Sequence, residues 1–309
     1  MGKVYLFMNH GGMGNQMYQY AVARKLQEKY DADIICDLSK YAYNGTDATQ
    51  RPYVLDRFYL TDRMEYKICK FHKLISAVKR RILAKKCAGM SAEQRFAVFT
   101  ENGIYFPGGY FECFPESRVK VRNIYVNGLF QAHGFFDDIV PILQKEFRLK
   151  EPSSEEVSSL MAQMECENSV CVHWRRGDYL DPKYASSLLV CDDRYYDRAM
   201  EEVAARVVNA VFYVFTNSAE DAEYIRDHHD FPYPVRYVNL MLAQEHDDVE
   251  DFAIMRACRH YVISNSTFSW WAQYLSDAPE KVVCAPAVWN RQANADGLYQ
   301  SNWVAIPVE

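Results

Sequence analysis

Val4-Tyr5-Leu6-Phe7-Met8, then His10-Gly11-Gly12-Met13-Gly14, then Asn15-Gln16-Met17-Tyr18-Gln19-Tyr20-Ala21-Val22-Ala23-Arg24 is the stretch that decides the fold class. The apolar run reads as a buried strand, the glycines as a tight turn, and residues from about 15 to 30 as a helix; Asp33-Ile34-Ile35-Cys36 supplies the next strand. Strand, glycine turn, helix, strand is the opening unit of a parallel α/β sheet.

The second half alternates more regularly. Strands are predicted over 170–174, 211–215, 235–238, 261–263 and 281–284, with helices near 195–207, 219–228, 249–259 and 268–275. This is a doubly wound pattern, whose ligands bind beyond the C-terminal strand ends. Segments 40–62 and 90–120 read as irregular, with Tyr41, Tyr43, Tyr53, Tyr105, Phe106 and Tyr110 as surfaces for sugar stacking.

Charge divides the chain where this pattern restarts. Residues 1–150 carry 23 Lys and Arg against 15 Asp and Glu, whereas residues 151–309 carry 12 against 26, for a net −6. Cores tend to split beyond roughly 250 to 300 residues, so two domains are expected, 1–150 and 151–309, with the boundary at the charge inversion. The acidic half is ill suited to winding along nucleic acid, and no such partner is expected. With 49% hydrophobic residues the chain is not disordered. Nine cysteines, an odd number without repeated short spacing, sit mostly in apolar runs such as Ile35-Cys36 and Val283-Cys284. Together with the lack of a signal-like or membrane-length apolar run, they predict a reducing, cytoplasmic setting.

From Met64 to Lys86, apolar Met64, Ile68, Phe71, Ile75, Val78 and Ile82 recur every three or four positions, which predicts one amphipathic helix. The other face is basic, with Lys67, Lys70, Lys73, Lys79, Arg80, Arg81, Lys85 and Lys86 against a single acid, Glu65. It reads either as a solvated face or as a peripheral contact with anionic lipid, at the inner face of a membrane.

Three segments carry side chains suited to chemistry. Gly12-x-Gly14 resembles part of a dinucleotide fingerprint, but Met17 occupies the position that needs a small residue. Asn15 and Gln16 place donors and acceptors at a helix start, where a ligand can be held. In the second segment, His173-Trp174-Arg175-Arg176-Gly177-Asp178, two arginines follow a strand; they need either a neighbouring acid such as Asp178 or an arriving anion, and guanidinium forks match diphosphate oxygens. Ser264-Asn265-Ser266-Thr267, between a strand and a helix, reads as a serine N-cap or as an anion site built from hydroxyls, N–H groups and the helix dipole. Asp31-Ala32-Asp33 reads as a solvated turn rather than a metal-holding Asp-x-Asp, and no metal is expected.

Gly-Gly-Met-Gly-Asn-Gln-Met-Tyr-Gln-Tyr-Ala at 11–21, His-Trp-Arg-Arg-Gly-Asp-Tyr at 173–179 and Ser-Asn-Ser-Thr-Phe-Ser-Trp-Trp at 264–271 together resemble, in order and spacing, the bacterial α-1,2-fucosyltransferases. The resemblance spans about residues 4 to 285. It implies a GT-B-like fold, with two Rossmann-like domains facing across a cleft. It also implies inverting, metal-independent transfer of L-fucose from GDP-β-L-fucose to the 2-hydroxyl of a terminal galactose on a glycan acceptor. Carried over, it makes Arg175 and Arg176 the diphosphate-binding and catalytic arginines and puts His173 near the nucleotide. Ser266 and Thr267, beside Asn265, would take phosphate oxygens. Asn15 and Gln16, after Gly14, would reach the fucose or the acceptor. Where relatives often carry an acid pair near guanine this chain has Asn217-Ser218, so the base is met by Asn217 through its carbonyl or by Glu220 or Asp221. For the general base, Asp178, His10 or no dedicated group all remain. The same motifs leave two rival classes, an NAD-dependent oxidoreductase on the glycine turn and a non-catalytic nucleotide-binding protein.

Overall fold

The structure is a computed structural model and describes residues 2–41, 51–151, 154–176, 191–242 and 247–308. It divides into two compact units, Met1–Phe147 with Asp296–Leu298, and Arg148–Ala295 with Tyr299–Glu309.

The first unit is built on a sheet of order β3-β2-β1-β5-β4, with β1 Gly2–Phe7, β2 Ala32–Asp37, β3 Met64–Tyr66, β4 Ile104–Tyr105 and β5 Asn123–Val126. Its strand pairings are parallel. Helix α1, Met13–Tyr30, is buried almost all round, and Asp31 ends it at φ 45°, a left-handed conformation that aspartate tolerates. Among its buried polar side chains, Arg24 pairs with Glu146 at 2.8 Å and with Glu28. Helices α2 Lys70–Lys86, α3 Ala92–Glu101 and α4 Val140–Glu146 complete the unit. Ser91 and Gln94 form a reciprocal capping box that starts α3, so the stretch expected to be irregular over 90–120 holds a helix and a strand.

The predicted helix over 64–86 is in fact two elements. Met64–Tyr66 add to the sheet edge, pairing Ile34 with Met64 and Cys36 with Tyr66, and the helix starts only at Lys70. The cause is Asp37, fully buried at the end of β2. Its carboxylate accepts the Cys69 N–H at 2.7 Å, the Ser39 N–H at 2.8 Å and the Lys73 ammonium at 3.1 Å, which fixes where α2 begins. The inward face of α2 also differs from expectation. Lys73 lies over Phe7, Lys79 over Tyr125 and Arg80 over Phe106 at 4.2 Å, so basic residues contribute their stems and cation–π contacts to the core side.

The second unit has a sheet of order β11-β10-β9-β6-β7-β8 with parallel pairings. Its strands are β6 Asn168–His173, β7 Ala210–Phe215, β8 Val235–Tyr237, β9 His260–Val262, β10 Val283–Pro286 and β11 Val304–Ile306. They read as short continuous apolar runs because both faces are covered. The helices are α5 Glu155–Cys166, α6 Asp193–Arg206, α7 Ala219–His228, α8 Val238–Met241, α9 Asp248–Ala257 and α10 Thr267–Leu275. Trp174, Tyr195, Tyr196, Met200 and Phe212 are buried with Val170 and Val172 in its core. Of the cysteines, Cys113 and Cys166 are exposed and the others buried.

Candidate active site

β6 and β9 are neighbours, and the segments that leave their C-terminal ends bring two of the motifs together. His173 ends β6, buried, with Nδ1 3.0 Å from the hydroxyl of the fully buried Ser264. Burial, assisted by the Arg175 charge, pulls the imidazole down to about 3. At neutral pH it is therefore a neutral hydrogen-bonding group. Between that value and the ordinary 6.5 the unfolded chain binds the proton that the folded one refuses, so stability falls as pH falls through this window, with a limiting slope of about 1.4 kcal/mol per pH unit from this group. Urea midpoints measured from pH 6.5 down to 4 should show this decline, and His173→Asn, which keeps a partner for Ser264, should make it shallower.

Three backbone N–H groups lock the chain after His173. Trp174 donates to the Phe215 carbonyl at 2.9 Å, Arg175 to the Tyr196 hydroxyl at 3.0 Å and Arg176 to Asn217 Oδ1 at 3.3 Å. The Trp174 ring stacks on Tyr196 with centroids 4.1 Å apart. Both arginines thus leave a fixed backbone. The Arg176 guanidinium lies 3.9 Å over the Tyr224 ring, with Nε 3.4 Å from Asp221 and Nη1 3.9 Å from Asp193. It leans toward α7, on the β7 side of β6, while His173 is the residue of this motif that meets the serine segment, through Ser264. Asp178, expected as a catalytic carboxylate and as an arginine partner, lies outside the described residues, as does Gly177.

Asn217 is exposed and its carbonyl accepts the Arg176 N–H, while Asp221 faces the guanidinium, so two of the three residues expected near guanine are engaged with this arginine. Glu220 is exposed. Ser266 is the N-cap of α10, its hydroxyl accepting from the Phe268 N–H at 3.3 Å, and Thr267 opens the helix half-buried. No acidic side chain occupies the first turn of α10, whereas α5, α7 and α9 each carry acids there. The dipole of α10 is left without an acid of its own. Asn265 turns into the protein, its amide donating to the Trp289 carbonyl at 3.0 Å and its oxygen facing Cys191. These two contacts hold the segment between β9 and α10.

In the first unit the glycine turn joins β1 to α1. Gly11 has φ 152°, and a Cβ there would lie 2.9 Å from Asn15 Cβ and 3.0 Å from Asn15 Nδ2; Gly12 has open space. Gly11→Ala should therefore lower stability by about 1 to 3 kcal/mol, read as a drop in melting temperature, while Gly12→Ala should stay within about 0.5 kcal/mol of the parent. Gly14 is buried within α1. Gln16 is fully buried and spends both ends on scaffold: its amide donates to Gly11 O at 3.1 Å and Pro52 O at 2.7 Å, and its oxygen accepts the Val54 N–H at 3.0 Å.

Asn15 accepts from Gln131 Nε2 at 2.7 Å and lies half-buried. Nearby, Asn9 donates to Asn127 at 3.0 Å and accepts from Lys40 at 2.6 Å, and its carbonyl takes the Tyr41 hydroxyl at 2.8 Å. This carboxamide cluster stands at the C-terminal ends of β1, β2 and β5. Sequence reasoning missed Asn127 and Gln131 because β5 was not identified, with Tyr125-Val126 before Asn127 as the available signal, and passed over Asn9 although it directly follows the predicted first strand.

Asp31 and Asp33 sit at the opposite, N-terminal end of β2 and are bridged by Arg63, at 2.8 and 3.0 Å. The Asp-x-Asp is an ion pair tying β2 to the chain before β3. Among the described residues no group of three or more His, Cys, Asp or Glu is arranged to hold a metal ion.

The sequence profile of Glycosyl transferase family 11 matches residues 4–307, which takes in all three motifs. The chain belongs to this family. Family 11 is the α-1,2-fucosyltransferase family, so the resemblance carried by the motifs holds, and the chain is a glycosyltransferase rather than the oxidoreductase that Gly12-x-Gly14 also allowed. The O-antigen biosynthesis glycosyltransferase WbnK of Escherichia coli is 26% identical over 304 residues, 96% of this chain and 98% of that protein. An α-1,2-colitosyltransferase of Escherichia coli is also 26% identical, over 96% of each chain. Crystal structures of the fucosyltransferase NodZ, one from Bradyrhizobium and one co-crystallized with GDP, align at a TM-score of 0.52 with 14% and 13% identity, covering 91% of this chain and 94% of NodZ. The fold is GT-B-like, with a Rossmann-like parallel sheet in each unit.

Proposed function

We propose that this family 11 glycosyltransferase transfers L-fucose from GDP-β-L-fucose to the 2-hydroxyl of a terminal β-galactoside with inversion, and that it does so without a metal. The observation that carries this reading is the edge formed by β6 and β9. There the arginine pair and the acid-free N-terminus of α10 are tied through His173 and Ser264, 3.0 Å apart. Cationic forks and a helix N-terminus are complementary to a diphosphate.

In this reading the galactose 2-oxygen attacks fucose C1, and the C1–O bond to the β-phosphate breaks. GDP keeps the electron pair, and the hydroxyl proton passes to a base, for which Asp178 is the carboxylate in the motif. Arg175, Arg176, Ser266 and Thr267 bind the departing diphosphate and stabilise the charge that grows on it. Arg176 exchanges Asp221 and Asp193 for phosphate oxygens when the donor binds. The carboxamides Asn9, Asn15, Asn127 and Gln131 suit sugar hydroxyls, since each both donates and accepts; Gln16 positions their turn.

The similarity to a colitosyltransferase favours one rival donor, GDP-colitose, whose sugar is fucose without its 3-hydroxyl. Rates with both donors on lactose decide between them. We expect kcat/KM for GDP-fucose to exceed that for GDP-colitose at least about tenfold, unchanged by EDTA. A preference for GDP-colitose would replace the donor, and a rate abolished by EDTA and restored by a divalent ion would overturn the metal-free reading.

A further inference from the structure

Helix α2 leaves an apolar ridge in solvent. Phe71, Leu74, Val78 and Ile82 are 71, 62, 49 and 49% exposed, and Ile68, just before the helix, is 55% exposed. Spaced i, i+3, i+7 and i+11, the four helical positions fall on one stripe of a helix about 25 Å long. Single exposed apolar residues are ordinary, but a continuous stripe marks an interaction surface. Its core side is already occupied: His72 stacks on Tyr5 at 3.8 Å, Arg80 covers Phe106 and Leu83 is buried.

Charge decides what the stripe meets. Exposed Lys70, Arg81, Lys85 and Lys86 run along it, with Lys67 ahead of it, and the sequence holds no acid between Glu65 and Glu93. A second copy docked by two-fold symmetry would set these cations against themselves. A bilayer surface accepts both components at once, with the apolar side chains entering the boundary between headgroups and acyl chains and the lysine and arginine heads reaching lipid phosphates. No helix among the described residues is long and apolar enough to cross a membrane, so the contact would lie in the interfacial plane. We propose that α2 docks the protein peripherally on an anionic phospholipid surface, through the Phe71-Leu74-Val78-Ile82 stripe and the cations beside it.

Co-sedimentation of the full chain with phosphatidylcholine vesicles, with and without phosphatidylglycerol, tests this. The chain should sediment only with the phosphatidylglycerol vesicles and be released by salt. Each cation near such a surface raises partitioning about fivefold, so Lys70→Gln with Arg81→Gln and Lys85→Gln should lower it about a hundredfold. Phe71→Ser with Leu74→Ser should lower it as well. These side chains are exposed, so the variants should melt with the parent. Phe71→Trp gives a readout that deletes nothing, and the emission of the introduced indole should shift to the blue only with phosphatidylglycerol. Binding indifferent to phosphatidylglycerol, variants that partition like the parent, or an unshifted emission in the Phe71→Trp protein would overturn the proposal. So would light scattering that shows a dimer dissociated by the serine variants without vesicle binding, which would assign the stripe to a second copy.

Discussion

Arg175→Ala and Arg176→Ala should each slow transfer about 10²- to 10³-fold, the loss expected when one preorganised donor to a charge that develops in the transition state is removed. The fold should survive, because what pins this segment is backbone: the N–H groups of residues 174–176 bond to Phe215, Tyr196 and Asn217 whatever the side chains. The effect should fall on kcat more than on KM, since the charge on GDP is greatest as the C1–O bond breaks. The two variants should differ in the apo protein. Arg176→Ala removes the cation over Tyr224 and beside Asp221 and Asp193, leaving like charges at the α7 and α6 starts. Lysine replacements keep the charge but lose the fork, and should recover only part of the rate. Steady-state kinetics with a melting curve for each variant check this; a near-parental kcat in either would remove that arginine from the mechanism.

The largest stability loss is expected at Asp37. Its buried carboxylate is pushed up by burial, yet hydrogen bonds from Ser39, Cys69 and Lys73 outweigh this and hold it below the ordinary carboxylate value. Asp37→Ala leaves the Ser39 and Cys69 N–H groups without their acceptor and takes the carboxylate from Lys73, which keeps Ser39 Oγ, and the lost partners together cost about 2 to 5 kcal/mol. A loss of about 3 kcal/mol corresponds to a melting temperature lower by about 6 to 12 °C in a unit of this size. The consequence reaches the candidate site, because Asp37 anchors the turn that carries Lys40 and Tyr41 onto Asn9. Because the carboxylate is held below its ordinary value of about 3.9, its contribution is complete above that pH and lost as pH falls through the lower folded value. The parent should therefore destabilise steeply in strong acid, and Asp37→Ala should do so less. Calorimetry of the two proteins against pH checks both statements.

The strand–turn–helix–strand opening was legible from an unbroken apolar strand and a glycine turn, and the alternation after residue 168 from short apolar strands between helices most of which carry side-chain caps. Ile104–Tyr105 was not, since a run of two residues has no periodicity to detect, and Val304–Ile306 lies beyond the last helix, where no strand–helix alternation marks it. At α2 the periodicity revealed an amphipathic helix but not which way it turned. Lys73, Lys79 and Arg80 can cover aromatic rings as well as leucines can, so polarity alone does not identify the inward face. The three motifs pointed to the right family, yet side-chain roles inside them depended on residues distant in sequence. Gln16 is consumed by Pro52 and Val54, Asn265 by Trp289, and Arg176 is drawn aside by Asp221 and Tyr224.

The linkage of the product formed from GDP-β-L-fucose and lactose, determined by nuclear magnetic resonance on the purified trisaccharide, is the most direct test of the account. It predicts a single fucose, α-linked to O2 of the galactose, with GDP released in equal amount. A β-linkage, attachment at another hydroxyl, or GDP release without a trisaccharide would contradict it.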